Sequence, residues 1–269
     1  MSGLPTPQTA AGKAALAAIL TEPKGALVAL DYDGTLAPIV DRPEDAVAHP
    51  RAAAALRGLA VVVGKVAIVT GRPAAEAVRL AGFSDIPGLV VLGHYGLERW
   101  SAGQVETPQT HPGVAAARRG VAALVAEGPD GLVLEDKGHS VALHSRRAAD
   151  PAGALATVQP RVEQLARETG LVVAPGRFVL ELRPPGVDKG AALRTLVAET
   201  RPLSVVFVGD DVGDLPAVAA LREMDVPGIV VCSDSAESPP DLREQSDLVV
   251  AGPSGVVSFL ESLTKMIVS

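Results

Sequence analysis

Ala26-Leu27-Val28-Ala29-Leu30-Asp31-Tyr32-Asp33-Gly34-Thr35 is the stretch that decides the fold. The apolar run 26–30 is typical of a buried parallel strand, and Gly34 lets the chain turn sharply after it. Asp31 and Asp33 therefore lie at the carboxyl end of a strand, where open α/β sheets bind ligands. A carboxylate there can attack phosphorus, and a second one can exchange a proton with the leaving oxygen. Taken alone, the stretch also fits an ordinary Asp-Gly turn with solvated acids.

Composition limits the class of protein. The chain has 269 residues, 48% of them hydrophobic and 20% charged, and a formal net charge of -7. This length suffices for one large domain or two modest ones. The acidic balance, without a basic stripe, disfavours nucleic acid and anionic membranes as partners. A phosphate site in such a protein must concentrate positive charge locally.

The single cysteine, Cys232, leaves no intrachain disulfide or cysteine metal cluster. It follows an apolar run, and we expect a small buried hydrophobic side chain. The alanine-rich stretch 14–20 is too short to span a membrane. It favours an N-terminal helix over a signal peptide, and we expect a cytoplasmic protein.

Short apolar runs alternate with helical stretches over most of the chain. The predicted strands are Leu27–Leu30, Val66–Val69, Leu89–Leu92, Val205–Val208, Ile229–Val231 and Leu248–Val250. The predicted helices are Pro50–Leu59, Pro73–Ala81, Lys189–Glu199 and Ser254–Lys265, with Asp188 as a suitable N-cap for the third. This alternation predicts an α/β fold with a Rossmann-like, doubly wound parallel sheet.

Residues 102–182 have a different order of predicted elements, in which helices alternate with hairpins. This order predicts an α+β cap domain inserted between core segments 1–101 and 183–269. A helix over Val114–Ala126 precedes a hairpin of residues 132–137 and 140–146. A helix over Pro151–Thr169 precedes a second hairpin, whose strands 171–174 and 177–183 flank the turn signal Pro175-Gly176.

Alternation along these cap strands places charged side chains in pairs on one face. The pairs are Glu135 with Lys137, His144 with Arg146, and Glu181 with Arg183. A solvated sheet face is one interpretation. The other is a lid whose polar face hydrogen-bonds a substrate rich in hydroxyl groups.

Two further segments suit a phosphate group. Thr70-Gly71-Arg72 follows a predicted strand, and its hydroxyl and backbone N–H groups suit a phosphate oxygen; a simple threonine N-cap is the alternative. In Asp188-Lys189-Gly190, a lysine in a first helical turn opposes the helix dipole, so helix stability does not explain it. It makes sense if it faces a phosphate, although a solvated surface lysine is also possible.

The segment Gly209-Asp210-Asp211-Val212-Gly213-Asp214 places three carboxylates at another strand end, without the ligand spacing of a calcium loop. Together with Asp31 and Asp33 they would share one small region. Two like charges about 5 Å apart cost roughly 3 kcal/mol at an effective dielectric constant near 20. A divalent cation would offset this repulsion, and oxygen ligands with a phosphate substrate favour Mg2+.

These four segments together resemble the haloacid dehalogenase superfamily of phosphotransferases. The narrower resemblance is to the trehalose-6-phosphate phosphatase family, over residues 27 to about 218. It rests on Asp31-Tyr32-Asp33-Gly34-Thr35-Leu36-Ala37-Pro38-Ile39-Val40, on Glu135-Asp136-Lys137-Gly138 through His144-Ser145-Arg146, and on Glu181-Leu182-Arg183-Pro184 with Asp188-Lys189-Gly190. The chain departs from the family's Asn-His-Gly-x-Glu pattern at Gly93-His94-Tyr95-Gly96-Leu97-Glu98, and it has Gly213-Asp214 where Thr-Asp is usual.

The resemblance implies a role for each matching position. Asp31 would be the nucleophile and Asp33 the general acid and base. The metal would be held by Asp31, Asp210, Asp214 and the backbone carbonyl of Asp33, with Asp211 in support. Thr70, Gly71 and Lys189 would hold the phosphate, and Arg72, Glu135, Lys137, Arg146 and Glu181 would contact the rest of the substrate.

The resemblance thus implies a Mg2+-dependent phosphatase that hydrolyses trehalose 6-phosphate through an aspartyl-phosphate, with functional coupling to trehalose-6-phosphate synthase. One alternative is a related capped sugar phosphatase acting on sucrose 6-phosphate or mannosyl-3-phosphoglycerate. An acidic glycerate would require more cations than the cap pattern offers. The other is a catalytically silent module that binds a sugar phosphate.

Overall fold

In the computed structural model of the chain, which describes residues 4–40, 42–236 and 238–269, the first apolar run forms a strand whose every residue is buried. The described strands are β1 (Ala26–Leu30), β2 (Lys65–Val69), β3 (Val90–Gly93), β4 (Glu98–Ser101), β5 (Gln104–Glu106), β6 (Val133–Asp136), β7 (Val141–His144), β8 (Val172–Gly176), β9 (Val179–Arg183), β10 (Ser204–Gly209), β11 (Gly228–Asp234) and β12 (Leu248–Ala251). The described α-helices are α1 (Ala10–Thr21), α2 (Ala52–Ala60), α3 (Ala74–Ala81), α4 (Gly113–Glu127), α5 (Pro151–Thr169), α6 (Lys189–Thr200), α7 (Leu215–Glu223), α8 (Pro240–Glu244) and α9 (Gly252–Val268).

The chain divides into two compact units. One comprises Met1–Thr107 and Asp188–Ser269, and the other comprises Pro108–Val187. These bounds lie a few residues beyond the predicted 102–182. At the first boundary the reason is β5, which pairs with β4 in the sheet of the first unit. At the second, the turn after β9 precedes Asp188, which caps α6.

The sheet of the first unit has the strand order β12-β11-β10-β1-β2-β3-β4-β5. Pairing is parallel from β12 to β3 and antiparallel at β4 and β5. Apolar side chains are buried on both faces, because helices cover both. Tyr32, Leu56 and Phe259 belong to the cluster on one face, and Leu193 and Phe207 to that on the other. The predicted α/β class with a parallel sheet is confirmed.

The second unit is a four-stranded antiparallel sheet in the order β6-β7-β9-β8, packed on one face by α4 and α5. Leu143, Leu180 and Leu182 point to that face and form a core with Val121 and Val158. The predicted order of helix, hairpin, helix and hairpin is confirmed.

The predicted turn at Pro175-Gly176 is wrong, because both residues lie in β8 and Gly176 pairs with Val179. The two loop residues are Arg177 and Phe178, and Phe178 takes the left-handed φ of 59°. Cross-strand pairing therefore outweighs the local Pro-Gly signal.

Three further expectations concern the N-terminal helix, the cysteine and the length of apolar helices. The N-terminal helix is confirmed as α1. Cys232 lies in β11 and is fully buried among apolar side chains, as expected. None of the helices that the structure describes is both long and apolar enough to cross a bilayer.

Candidate active site

The register of the parallel strands brings the predicted site segments to one sheet edge. Leu30, the last residue of β1, pairs with Val208 of β10 on one side and Ile68 of β2 on the other. Asp31 follows at once, with its N–H donating to Val208 O at 2.9 Å. The segments at Thr70 and Asp210 follow β2 and β10, and they meet Asp31 at the carboxyl edge of the sheet.

Lys189 lies inside this cluster. Its Nζ is 2.8 Å from Asp31 Oδ1 and 2.7 Å from Asp214 Oδ1, and the residue is 4% exposed. Asp188 caps α6 as predicted, because its Oδ1 accepts the N–H of Ala191 at 2.8 Å. A Cβ on Gly190 would lie 2.5 Å from Pro216 O, so glycine permits this close approach of α6. The alternative of a solvated surface lysine is therefore wrong.

Asp214 organises the loop after β10. Its Oδ2 accepts the backbone N–H groups of Asp210 at 2.9 Å and Asp211 at 3.1 Å. Asp211 in turn accepts the N–H of Gly213 at 2.8 Å. Asp214 is fully buried, so its carboxylate fixes the direction in which Asp210 enters the site.

The geometry of three buried acids suits a metal ion. Carboxylate oxygens of Asp31, Asp210 and Asp214 all lie within 4.8 Å of one another. Asp210 Oδ1 is buried, and among the described residues it has no hydrogen-bond partner. Gly34 has a φ of 70°, and a Cβ there would overlap Asp210 Oδ2. An oxygen-only set with an unsatisfied buried acceptor is the kind of site that a hard divalent cation occupies.

Electrostatics supports the same conclusion. Burial raises the pKa of Asp31 to about 8; Asp214, Asp211 and Asp33 add to the rise, and Lys189 opposes it. Burial and then Asp31 raise the pKa of Asp210 well above its ordinary value. For Lys189, burial lowers the pKa, but Asp214 and Asp31 outweigh it and hold the pKa well above normal. A cation would keep these acids ionised near neutral pH.

Arg72, predicted as a substrate contact, forms a two-pronged ion pair with Asp33. Its Nε is 2.7 Å from Asp33 Oδ2, and its Nη2 is 2.7 Å from Asp33 Oδ1. Its Nη1 donates to Pro43 O at 2.9 Å and to Glu76 Oε1 at 3.2 Å. The guanidinium carbon also lies 5.5 Å from the centroid of the Tyr32 ring.

The Thr70 loop is not a simple helix cap. Thr70 Oγ1 accepts the N–H of Arg72 at 3.1 Å, but α3 begins only at Ala74, after Pro73. Glu98 of β4 supplies the missing cap, since its Oε2 accepts the N–H of Ala74 at 2.8 Å. Sequence reasoning missed this role of Glu98. The proline at the N-cap was the available signal, because its side chain has no acceptor.

The segment after β3 clamps the same loop. His94 and Tyr95 both have left-handed backbones, with φ of 47° and 58°. The N–H of His94 donates to Arg72 O at 3.0 Å, and that of Tyr95 donates to Thr70 O at 2.9 Å. A Cβ on Gly71 would lie 2.6 Å from the Tyr95 hydroxyl oxygen, so only glycine accommodates the ring. These two backbone hydrogen bonds hold the predicted phosphate loop, and the surrounding contacts maintain the strained backbone of His94 and Tyr95.

Within the second unit, predicted polar residues converge on the sheet face opposite the helices. Glu135 and Glu181 both lie opposite Ala142. Lys137 Nζ is 3.2 Å from Glu181 Oε2 and 3.9 Å from Glu135 Oε2. Ser140 Oγ donates to Glu181 Oε1 at 2.5 Å. His144 Nε2 is 2.8 Å from Glu135 Oε2, which completes a joined polar cluster on this face.

Arg146 takes a different position from the other predicted cap residues. Its guanidinium carbon lies 5.8 Å from the ring centroid of Phe178, at the tip of the second hairpin, and Arg177 lies 5.4 Å from the same ring. Arg146 is exposed.

Comparison with known proteins agrees with this geometry. The Trehalose-phosphatase family model matches residues 29–249. A trehalose-phosphate phosphatase of Mycobacterium marinum is 35% identical over 215 residues, which are 75% of this chain and 53% of that protein. An uncharacterised glycosyl hydrolase of Mycobacterium tuberculosis is 34% identical over 253 residues, which are 88% of this chain and 18% of that protein. The C-terminal domain of the C. albicans trehalose-6-phosphate phosphatase matches with a TM-score of 0.79 at 20% identity, covering 98% of this chain and 99% of that one.

The parallel sheet with acids at its carboxyl edge and the inserted α+β unit have the fold of haloacid dehalogenase-like hydrolases; one such hydrolase from Bacteroides thetaiotaomicron matches with a TM-score of 0.63 at 16% identity, covering 88% of this chain and 98% of that one. The chain itself belongs to the trehalose-phosphatase family. The predicted family is therefore confirmed. The chain spans between 53% and 61% of the length of curated trehalose-phosphate phosphatases that it matches.

Proposed function

We propose that this chain is a Mg2+-dependent phosphatase that hydrolyses trehalose 6-phosphate to trehalose and phosphate. The observation that carries the proposal is the position of Asp31 in a member of this family. Its carboxylate stands at the end of β1, 2.8 Å from Lys189 Nζ and within the cluster of buried acids. This arrangement combines a nucleophile, a cation for the phosphate and a metal site.

The phosphate is held by Lys189, Thr70 and Gly71 in this proposal. Lys189 is already fixed by two carboxylates, so it needs little reordering to meet a phosphate oxygen. The Thr70 hydroxyl accepts one backbone N–H, which leaves its hydrogen to donate. The backbone N–H of Gly71 adds a donor.

Mg2+ would be held by the carboxylates of Asp31, Asp210 and Asp214 and by the carbonyl of Asp33. Asp211 supports this set, because its carboxylate, like that of Asp214, binds the loop that carries Asp210. When bound, the ion withdraws charge from the phosphoryl oxygens and offsets repulsion between the acids.

The reaction proceeds in two displacements. Asp31 attacks phosphorus while the bond to the sugar 6-oxygen breaks, and Asp33 gives that oxygen its proton. Asp33, now ionised, takes a proton from water as the water attacks the phosphorus of the aspartyl-phosphate. Phosphate leaves, and the Asp31 carboxylate is restored. Both acids therefore return to their starting protonation.

The sugar is recognised by the second unit in this proposal. Glu135, Lys137 and Glu181 form the polar cluster of the cap sheet, and such groups hydrogen-bond hydroxyls. Arg146 contributes from the segment after β7, next to Phe178 at the tip of the second hairpin. The 102–182 cap domain is proposed as the unit that selects the substrate.

Phosphate release tests the proposal. Trehalose 6-phosphate, sucrose 6-phosphate and glucose 6-phosphate are compared with Mg2+ and with a chelator. Metal-dependent release from trehalose 6-phosphate alone would support the proposal. Equal release from all three would contradict the substrate, and binding without release would favour the silent module.

Two proposals rest on sequence alone. They are a cytoplasmic location and functional coupling to a trehalose-6-phosphate synthase.

A further inference from the structure

We infer that Arg72 is a positioning residue that sets the orientation of the Asp33 carboxylate, an inference that rests on the proposed role of Asp33 as general acid and base. Asp33 is the more exposed partner, with 40% of its side chain accessible against 11% for Arg72. A partly exposed carboxylate has a broad terminal torsion and no fixed orientation of its own. The ion pair supplies that orientation.

The fork geometry makes Arg72 suited to this task. Nε and Nη2 each meet a different oxygen of Asp33 at 2.7 Å, which defines the plane of the carboxylate as well as its distance. A lysine could meet one oxygen but could not define the plane.

The guanidinium is itself held on every side. Nη1 bonds to Pro43 O and Glu76, and the flat face lies near the Tyr32 ring. Tyr32 is fully buried, and its hydroxyl donates to Ala46 O at 2.8 Å. The fork is therefore fixed before substrate arrives, as a positioning group must be.

The main chain of Arg72 is fixed as well. Its N–H donates to Thr70 Oγ1 at 3.1 Å, and its carbonyl accepts the N–H of His94 at 3.0 Å. The loop proposed to hold phosphate and the side chain that orients Asp33 are thus one rigid piece. This links the position of the phosphate to the position of the proton donor.

A direct role in binding phosphate conflicts with this geometry. Four donor contacts of the guanidinium go to three protein groups, and two of them go to Asp33. The fork uses one lone pair on each oxygen of Asp33, so the second lone pair of either oxygen can carry the proton for the leaving group. Turning the fork toward a phosphate would release the acid that must protonate the leaving oxygen.

The test compares substrates that differ in their need for a proton donor. Trehalose 6-phosphate has a poor alkoxide leaving group, whereas p-nitrophenyl phosphate releases a stable phenolate that needs no proton. The value of kcat/KM reports the steps up to cleavage of the phosphorus–oxygen bond. The later step, in which Asp33 acts as a base, therefore does not affect it. We measure both substrates for wild type, Arg72→Ala and Arg72→Lys.

We expect Arg72→Ala to lower kcat/KM for trehalose 6-phosphate by about 100-fold, the cost of a misplaced catalytic group. We expect the loss for p-nitrophenyl phosphate to stay below about 10-fold, because a bound phosphate still meets Asp31. Arg72→Lys should behave like Arg72→Ala on the alkyl substrate while keeping the charge. The matched control is Arg57→Lys, which alters an exposed pair in which Arg57 Nη2 contacts both carboxylate oxygens of Asp85, and it should change neither value.

Equal losses on both substrates would overturn the inference, and a raised KM for both would favour direct phosphate binding. Unchanged values would overturn it as well. If Arg72→Ala does not fold, the lysine variant carries the comparison. If wild type ignores trehalose 6-phosphate but hydrolyses glucose 6-phosphate, the proposed substrate is wrong and the same comparison is made with glucose 6-phosphate. A wild type that hydrolyses no phosphomonoester would contradict both proposals.

Discussion

Lys189 Nζ lies 2.8 Å from Asp31 Oδ1, so the proposed nucleophile and the proposed phosphate ligand share a buried ion pair. One lysine does not neutralise the cluster, because Lys189 also pairs with Asp214, and a third acid, Asp210, lies beside them. Burial raises the pKa of Asp31 to about 8, and Asp214, Asp211 and Asp33 add to the rise while Lys189 opposes it. The site is therefore built for a metal ion and is electrostatically strained without one.

Replacing Asp31 with asparagine should separate activity from stability. Asp31→Asn should abolish turnover, because the amide cannot attack phosphorus. Without metal, native Asp31 keeps a proton that the unfolded chain loses near pH 4. Its contribution to the free energy of unfolding therefore falls as pH rises from about 4 to about 8. Asp31→Asn has no carboxyl group to titrate at this position, so its free energy of unfolding does not fall in this way. It should exceed that of wild type at pH 8, and the difference should be smaller at pH 5.

Urea unfolding with a chelator at both pH values measures this. Asp85→Asn, at an exposed pair with Arg57, is the control for a surface aspartate. Full activity of Asp31→Asn would contradict the mechanism, and a variant less stable than wild type at pH 8 would contradict the electrostatic account.

Removing the buried lysine should destabilise the metal-free protein. Lys189→Met leaves the buried Asp214 carboxylate without its cation, and breaking a buried pair costs about 3–5 kcal/mol. Urea unfolding at pH 7 gives the free energy. Lys65→Met is the control, because Lys65 Nζ donates to the Gly88 carbonyl at the surface at 3.2 Å. A loss for Lys189→Met no larger than for the control would show that the buried pair contributes little.

A methyl group at Gly34 should disturb the metal site specifically. Gly34→Ala forces a Cβ into Asp210 Oδ2, in addition to the cost of a left-handed alanine, about 1 kcal/mol or more. Gly82→Ala has a similar φ of 64° and nothing within 4 Å of its Cβ, so it carries the backbone cost alone. We expect Mg2+ to raise the melting temperature of wild type and Gly82→Ala but not of Gly34→Ala. Equal metal responses in both variants would refute this assignment.

The polar cluster of the cap sheet should act on the sugar and not on the phosphate. Glu181→Gln alters the contacts of Lys137 and Ser140, and it should raise KM for trehalose 6-phosphate about 10-fold, the equivalent of one lost charged hydrogen bond. KM for p-nitrophenyl phosphate should not change, because that substrate has no sugar. Glu168→Gln on the exposed side of α5 is the control. A parallel rise for both substrates would place Glu181 outside sugar recognition.

Much of the core site could be predicted because three of its four segments directly follow an apolar strand. Asp31 and Asp210 come directly after β1 and β10, and neighbouring parallel strands end at one edge. Two further features could be predicted from the residues at the start of α6 alone. They are the N-cap role of Asp188 and the unfavourable position of Lys189 in the helix dipole.

Contacts between distant residues could not be predicted in this way. Arg72 and Asp33 are 39 positions apart, and their pairing depends on how two loops cross at the sheet edge. Glu98 reaches Ala74 across 24 positions for the same reason. At the second hairpin, burial of Leu180 and Leu182 against the helices fixes the register and moves the turn away from Pro175-Gly176.

The most direct measurement is an acid quench during turnover of trehalose 6-phosphate with Mg2+, followed by peptide mapping of the chain. The account predicts phosphate on Asp31, formed no more slowly than free phosphate appears. The Asp31→Asn chain should carry none. Phosphate release without a covalent intermediate, or phosphate on another residue, would contradict the proposed mechanism.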